Sequence, residues 1–320
     1  MRKLTILFIT IIISIGCTNS NTGELIFVKA DHTKDFNFPY YLFIPDDVTK
    51  SDSVFVIVEP NNSGFADDDF QKHIEKAERT AIKDFYLGNY LAQNLNYPLL
   101  IPVFPRTKSN WKIYTHSLDR DVMLQKNNNL ERIDLQLINM QEDANKKLCE
   151  KGIKTHKQFL LTGFSASGTF ANRFTLLHPD KVYAAAAGGI NGLLILPIDA
   201  LESEALNYPI GTNDMFEMVG KSFQKELFLS TQQFYFMGEL DDNDAIPYAD
   251  GYDENEREQI FRLLGKQMQP ERWNNCIKLY EKSKVNATLK TYENTGHEHP
   301  EKIKKEVLDF FNASISKLTK

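Results

Sequence analysis

Cysteine is scarce in this sequence, with only three in 320 residues. Cys17 lies at the end of an apolar N-terminal stretch, so the rest of the chain has only Cys149 and Cys276. Two cysteines cannot build a disulfide framework or a cysteine-rich metal site. Both fall within helical patterns, where we expect buried packing residues. A single bridge between them is the alternative in an oxidising compartment.

The chain also lacks a strong excess of charge of either sign. Lysine and arginine total 37 against 43 acidic residues, which gives a net charge of −6. Such a mild and dispersed imbalance argues against a nucleic-acid partner. No internal repeat or low-complexity segment is present. The length and the 42% hydrophobic content are those of one catalytic-sized domain with a full core.

The only long apolar run is N-terminal, at residues 4–15 behind a positively charged start. It is too short to span a bilayer comfortably and is typical of an export signal. The run ends in S-I-G-C at Cys17, which resembles a bacterial lipobox with Ser14 in the place of the usual leucine. We therefore expect 1–17 to be a signal peptide with a lipidated Cys17, and 18–23 a polar tether. The protein would be anchored to a membrane of the cell envelope; a secreted or periplasmic protein is the alternative.

The remainder, 24–320, alternates strand-like runs with helical patterns. A mostly parallel sheet of about eight strands with helices on both faces is predicted, which is an α/β fold. The first two runs can pair as antiparallel neighbours. Residues 192–231 interrupt the alternation and could form a small cap over an active site. The strand-like runs are 25–28, 40–44, 54–58, 99–104, 159–162, 182–187, 234–237 and 288–292.

The fifth of these runs leads into the sequence G-F-S-A-S-G at 163–168 and then into a helical pattern. This arrangement is typical of a nucleophile elbow, a sharp turn that tolerates its strain only when the neighbours of the nucleophile are small. The residues around Ser165 meet that requirement. Phe170, Phe174 and Leu177 then place one apolar face of the following helix against the sheet.

A serine hydroxyl is a weak nucleophile, so hydrolysis requires a histidine base and an acid that orients it. The seventh run ends in an acidic turn at 238–247. The G-x-x-D spacing from its glycine favours Asp241 as the acid. Asp244 is the main alternative, and Asp242 or Glu239 are weaker ones.

The eighth run ends in G-H-E-H-P before the last amphipathic helix. Gly296 would allow the backbone turn that presents His297 as the base. His299 stands beside Pro300, and we expect it to cap the helix. A His-x-His pair can bind zinc, but no carboxylate at a recognised spacing completes such a site, so no metal and no cofactor are expected.

An acyl-transfer intermediate needs two N–H donors for its oxyanion. The backbone of Ala166 should supply one, and Asn61 or Asn62, after the third run, the other. His116 lies in a polar loop of mixed charge that could reach a substrate pocket. For that loop a structural network of aspartate and arginine side chains is the favoured interpretation.

With elbow, acid loop and histidine loop in this order, the chain from about residue 40 to its end resembles the α/β-hydrolase superfamily, especially bacterial serine esterases and peptidase-like hydrolases. Two departures are Ser167, where the G-x-S-x-G pattern has its second glycine, and a missing HG-type oxyanion loop. The resemblance implies a serine hydrolase that cleaves a carboxylic or carbohydrate ester of a small molecule through Ser165, His297 and Asp241. A serine peptidase of the same fold and a non-catalytic ligand-binding lipoprotein are the alternatives.

Overall fold

The computed structural model describes residues 22–61 and 64–319. The predictions for the signal peptide, for Cys17 and for Asn62 lie outside these ranges, as does most of the predicted tether. Within the described ranges, no helix has both the length and the apolar composition needed to cross a bilayer.

The core of the molecule is one sheet of eight strands, in agreement with the predicted number. Its first two strands are antiparallel to their neighbours, and the others run parallel. The third strand is shorter than predicted, because Val54 makes only an isolated bridge to Thr155. In spatial order the strands are β1 (Gly23–Val28), β2 (Tyr40–Pro45), β4 (Leu99–Pro102), β3 (Ile57–Val58), β5 (Phe159–Phe164), β6 (Val182–Gly188), β9 (Gln232–Gly238) and β10 (Ala287–Tyr292).

Helices cover both faces of the sheet, as the alternation of elements predicts. Side chains at successive positions of a strand point to opposite faces of the sheet and contribute to two separate apolar clusters. One face packs against α1 (Phe70–Ile82), α2 (Leu87–Leu95) and α10 (Glu301–Ile315). The other packs against α4 (Ile133–Glu150), α5 (Ala166–Leu177) and α9 (Trp273–Lys282). The shorter helices are α3 (Arg120–Met123), α6 (Met215–Val219), α7 (Lys225–Ser230) and α8 (Glu254–Leu263).

The interruption at 192–231 forms a two-stranded hairpin, β7 (Ala200–Leu201) with β8 (Glu204–Ala205), followed by α6 and α7. Its first residues, including Leu194 and Ile195, are buried in the same apolar cluster as α4 and α5. The first part of the segment therefore packs beside the sheet as part of the core.

The two cysteines of the folded body are both free. Cys276 is buried in α9, as expected, and burial raises the pKa of its thiol to about 11. Cys149 is exposed near the end of α4, so the prediction that it is a buried packing residue is wrong. The preceding Leu148 lies on the buried apolar face of α4. Cys149, one position further along the helix, therefore lies on the solvent side. The alternative of a bridge between the two is not realised either.

Candidate active site

The nucleophile candidate lies on a strained turn between β5 and α5. Ser165 has φ +63° and ψ −128°, a conformation that side-chain-bearing residues rarely adopt. Its backbone N–H donates to the carbonyl of Gly188 at 3.0 Å, which ties the turn to the neighbouring strand. The side chain is therefore presented beyond the carboxyl edge of the sheet, as the sequence predicts.

Small residues around the turn allow this conformation. A Cβ on Gly163 would lie 2.4 Å from the carbonyl oxygen of Ser167, and one on Gly168 2.5 Å from that of Gly188. Ser167 itself is buried, and its hydroxyl accepts from the N–H of Phe164 at 2.9 Å and lies 3.0 Å from the carbonyl of Phe164. The serine that departs from the usual glycine thus bonds the backbone of the elbow.

The acid and base candidates lie in contact. The Nδ1 atom of His297 is 2.9 and 3.1 Å from the two carboxylate oxygens of Asp241, which is almost fully buried. Since an ionised carboxylate only accepts, Nδ1 carries the proton and Nε2 faces the elbow as an acceptor. Gly238 allows the two loops to meet, because a Cβ there would lie 2.3 Å from the carbonyl oxygens of Thr295 and Gly296.

Two details of the histidine loop differ from the prediction. Gly296 has space for a Cβ and no left-handed backbone, so the turn does not require a glycine there; Asn294, at φ +52°, makes it. His299 does not cap α10, which begins after Pro300 without a side-chain cap. Its ring is instead buried between the rings of Phe85 and Phe164, at centroid distances of 5.1 and 4.6 Å.

A residue that sequence reasoning did not select lies between the base and the nucleophile. The Nδ2 atom of Asn243 is 3.2 Å from Nε2 of His297 and 3.4 Å from Oγ of Ser165. Its backbone N–H donates to Asp241 at 3.0 Å. The Asn243 amide thus completes a hydrogen-bonded chain from the carboxylate of Asp241 through the imidazole of His297 to the serine hydroxyl.

Three arginines hold the segment that carries Asn243, residues 241–252. Arg272 is fully buried and pairs with Asp244, while Arg106 pairs with Asp250. The buried Arg173 donates to the hydroxyl of Tyr252 at 2.7 Å. Asp244, the alternative acid, is therefore a structural partner of Arg272 and forms no hydrogen bond with His297. Of the weaker alternatives, Asp242 is exposed and Glu239 accepts from the N–H of Asn294 at 3.0 Å.

Of the three predicted oxyanion donors, the structure describes Ala166 and Asn61. Ala166 is the first residue of α5, where a backbone N–H has no acceptor within its own helix. Asn61 is buried, and its side-chain Nδ2 donates to the carbonyl of Phe104 at 3.5 Å. Asn62 lies outside the described residues. The following Gly64 lies beside the hydroxyl of Tyr114.

His116 lies in the loop after β4 and contacts the backbone of Phe104. It is buried, its Nε2 lies 2.7 Å from the carbonyl of Phe104, and it lines neither of the two cavities that adjoin Ser165. The prediction that it contributes to a substrate pocket is therefore not supported by these cavities. The charges of its loop act structurally: Asp119 caps α3, and Arg120 pairs with Asp214 at 2.6 Å.

In the part of the chain that the structure describes, two cavities adjoining the nucleophile are lined by both Ser165 and His297. We call the first, of about 590 Å³, the acidic cavity, because Asp242, Asp244 and Asp250 line it together with Asn243 and the rings of Tyr114 and Tyr248. We call the second, of about 450 Å³, the aromatic cavity, because Phe85, Tyr86, Phe164 and His299 line it. No described residue of 192–231 lines either one, whereas residues of 242–250 line the acidic cavity. That 192–231 caps the active site remains a prediction.

The side chains that the sequence did not indicate share one property: they reach the site through contacts between distant segments. Asn243 lies within the acidic turn, but nothing in the sequence of the turn shows whether its amide contacts other side chains or only water. Phe85 lies between α1 and α2 and reaches His299 across 214 positions of chain. The described ranges contain no group of three or more histidine, cysteine or acidic side chains arranged to hold a metal ion.

Comparison with solved structures finds several similar hydrolases. A poly(aspartic acid) hydrolase-1 from Sphingomonas sp. KT-1 has a TM-score of 0.55 at 13% identity, over 91% of this chain and 98% of that chain. LpqC, a poly(3-hydroxybutyrate) depolymerase from Bordetella parapertussis, has a TM-score of 0.54 at 14% identity, over 91% and 89%. An S-formylglutathione hydrolase from Agrobacterium tumefaciens has a TM-score of 0.50 at 12% identity, over 94% and 97%.

At such identities the likeness concerns the fold. No protein-family model matches the sequence, and no curated protein matches it in sequence. The mostly parallel sheet of eight strands with helices on both faces agrees with these structures. The chain has the α/β-hydrolase fold.

Proposed function

We propose that this protein is a serine hydrolase that cleaves a carboxylic ester. The observation that supports this most is the chain of contacts from Asp241 to His297 and, through Asn243, to Ser165 on a strained elbow. A binding scaffold has no need for a serine held at φ +63° beside an oriented imidazole. The similar folds of several hydrolases agree with the proposal.

In the proposed reaction, Oγ of Ser165 forms a bond to the ester carbonyl carbon while its proton passes to Nε2 of His297. Asp241 holds Nδ1–H and stabilises the imidazolium. The N–H of Ala166 and a donor from the loop after β3 stabilise the oxyanion. The carbon–oxygen bond then breaks as His297 protonates the leaving alcohol, and a water molecule releases the acyl group by the same steps.

Asn243 has to move during this reaction. Its amide donates to the same lone pair of Nε2 that accepts the proton of the serine hydroxyl. A substrate that enters either cavity can displace the amide and bring the hydroxyl of Ser165 to His297. The contact in the free protein then holds both side chains near their reactive positions.

The test is covalent labelling with a fluorophosphonate, followed by mass spectrometry and by hydrolysis of short aliphatic esters. We expect one label, on Ser165, together with turnover that is lost in Ser165→Ala. Ser230→Ala, an exposed serine at the end of α7, serves as the matched control. A folded protein that takes no label and hydrolyses no ester would favour the ligand-binding alternative.

We also propose that the protein is anchored to a membrane of the cell envelope through a lipid on Cys17, which rests on the N-terminal sequence alone. Incorporation of a radioactive fatty acid in cells tests it. Labelling that disappears in Cys17→Ala is expected. Labelling that persists in that variant, or none in the wild type, would contradict the proposal.

A further inference from the structure

The aromatic cavity contains a continuous row of rings that ends at the proposed base. Centroids are 5.1 Å apart between Phe85 and His299, 4.6 Å between His299 and Phe164, and 4.7 Å between Phe164 and His297. These distances lie in the range of favourable ring contacts. The apolar wall therefore reaches from the outer rim of the cavity to the reacting atoms.

The outer ring of this row is left in water. Phe85 is 63% exposed, and it is held in place by its loop, since Lys304 donates to the carbonyl of Asp84 at 3.1 Å. A single exposed phenylalanine elsewhere needs no explanation. This one lines the same cavity as Ser165 and His297, so a bound substrate would cover it.

The second ring remains uncharged at neutral pH. Burial, the largest cause, lowers the pKa of His299 to about 4, and the nearby charge of Lys304 acts in the same direction. The buried, neutral imidazole therefore adds no charge behind the ring of Phe85. The charged ammonium groups of the cavity have partners of their own: Lys76 donates to the Tyr86 hydroxyl at 3.0 Å, and Lys304 pairs with Glu301 at 3.1 Å.

We propose that the aromatic cavity binds an aryl group of the substrate against the exposed ring of Phe85, so that the preferred substrates are esters with an aromatic ring a few bonds from the scissile carbonyl. This inference rests on the proposed ester hydrolysis. Rings on one wall favour a planar ring over an alkyl group of equal size, because offset and edge contacts add to the burial of area. The acidic cavity has no such row and takes the other end of the ester.

The experiment compares kcat/KM within two pairs of esters with equal numbers of carbon atoms, one member aryl and one saturated: methyl 3-phenylpropanoate against methyl 3-cyclohexylpropanoate, and benzyl acetate against cyclohexylmethyl acetate. We expect the wild type to prefer the aryl member by about three- to tenfold in one pair, and that pair identifies the side of the ester that carries the ring. Phe85→Leu should bring this ratio close to one. Phe85→Tyr should preserve it.

Phe216→Leu is the matched control, since Phe216 is 62% exposed but lies on α6, away from both cavities. Its ratio should equal that of the wild type. A wild-type ratio near one in both pairs, or a ratio that survives Phe85→Leu, would overturn the inference while ester hydrolysis and labelling of Ser165 still stand. Absence of both labelling and hydrolysis would overturn the proposed function, and this inference with it.

Discussion

The two cavities that meet at Ser165 differ in what their walls offer a substrate. The aromatic cavity exposes the ring of Phe85 and has both lysines and glutamates at its wall, whereas the acidic cavity has three aspartates, of which Asp242 is exposed. The two are also built differently. Loop residues packed on α10 form the first, while three arginines behind the wall fix the second. The reacting groups thus lie between a wall that contains a row of rings and a wall that contains three aspartates, which suits an ester whose two ends differ in chemistry.

Both candidates for the catalytic acid, Asp241 and Asp244, lie in the turn beside the acidic cavity, and substitution can separate their roles. Asp241→Asn should lower kcat by about 10³- to 10⁴-fold, because an amide no longer fixes the proton on Nδ1 of His297. Asp244→Asn should instead lower the free energy of unfolding by about 2 kcal/mol or more, because Arg272 is fully buried and loses its ionic partner. Ester hydrolysis and urea denaturation of both variants distinguish the two effects. A thousandfold loss of kcat in Asp244→Asn alone would reverse the assignment.

A buried acid also lies behind each cavity, and the two differ in their bonding. Glu59, whose nearest charge is Lys76, accepts only the N–H of Gly88, at 2.7 Å, and its other carboxylate oxygen has no partner. Asp119 accepts from the backbone N–H groups of Tyr114 and Val122. Burial raises the pKa of each to about 7. Although the pKa of both acids is raised alike, replacing each acid with its amide should therefore change the free energy of unfolding in opposite directions.

Between pH 4.5 and about 7, the carboxyl of Glu59 is protonated in the folded protein but ionised in the unfolded chain. Stability therefore falls as the pH rises through that window. At about 1.4 kcal/mol per pKa unit, the free energy of unfolding lost by pH 8 is about 3 kcal/mol. Glu59→Gln should remove this dependence on pH. Urea denaturation at pH 4.5 and pH 8 measures the difference. Asp119→Asn is the contrasting variant: its NH₂ would face a backbone donor and should destabilise at both pH values.

The parts of the molecule that the sequence predicts are those set by local pattern. Eight apolar runs become the eight strands, and because parallel strands end at one edge, Ser165, Asp241 and His297 are brought together there. The choice of Asp241 over Asp244 also agrees with the contacts. What could not be predicted depends on partners far along the chain: the pairing of Asp244 with Arg272, the burial of His299 and the insertion of Asn243 between base and nucleophile.

Asn243 belongs to the acidic cavity and contacts both reacting side chains, so its removal tests whether it assists or obstructs them. We expect Asn243→Ala to lower kcat/KM by about tenfold, because His297 and Ser165 lose a hydrogen bond that limits their rotamers. The rate of fluorophosphonate labelling should fall in parallel. Asn213→Ala, an exposed asparagine outside both cavities, is the control. Faster labelling in Asn243→Ala would mean that the amide mainly keeps the two side chains apart.

The smallest effect concerns the charge of the acidic cavity. Asp244 and Asp250 are neutralised by arginines, so Asp242 supplies the unbalanced carboxylate and should disfavour an anionic ester. We expect Asp242→Asn to narrow the ratio of kcat/KM for methyl pentanoate over monomethyl succinate by about two- to threefold, the size of an exposed charge interaction. High salt should also lower this ratio of kcat/KM in the wild type, because it screens the carboxylate of Asp242. Asp52→Asn, an exposed acid near the amino ends of the strands, should leave the ratio unchanged. If Asp242→Asn and salt both fail to alter the ratio, the two cavities differ in shape and aromatic content but not in the charge that a substrate meets.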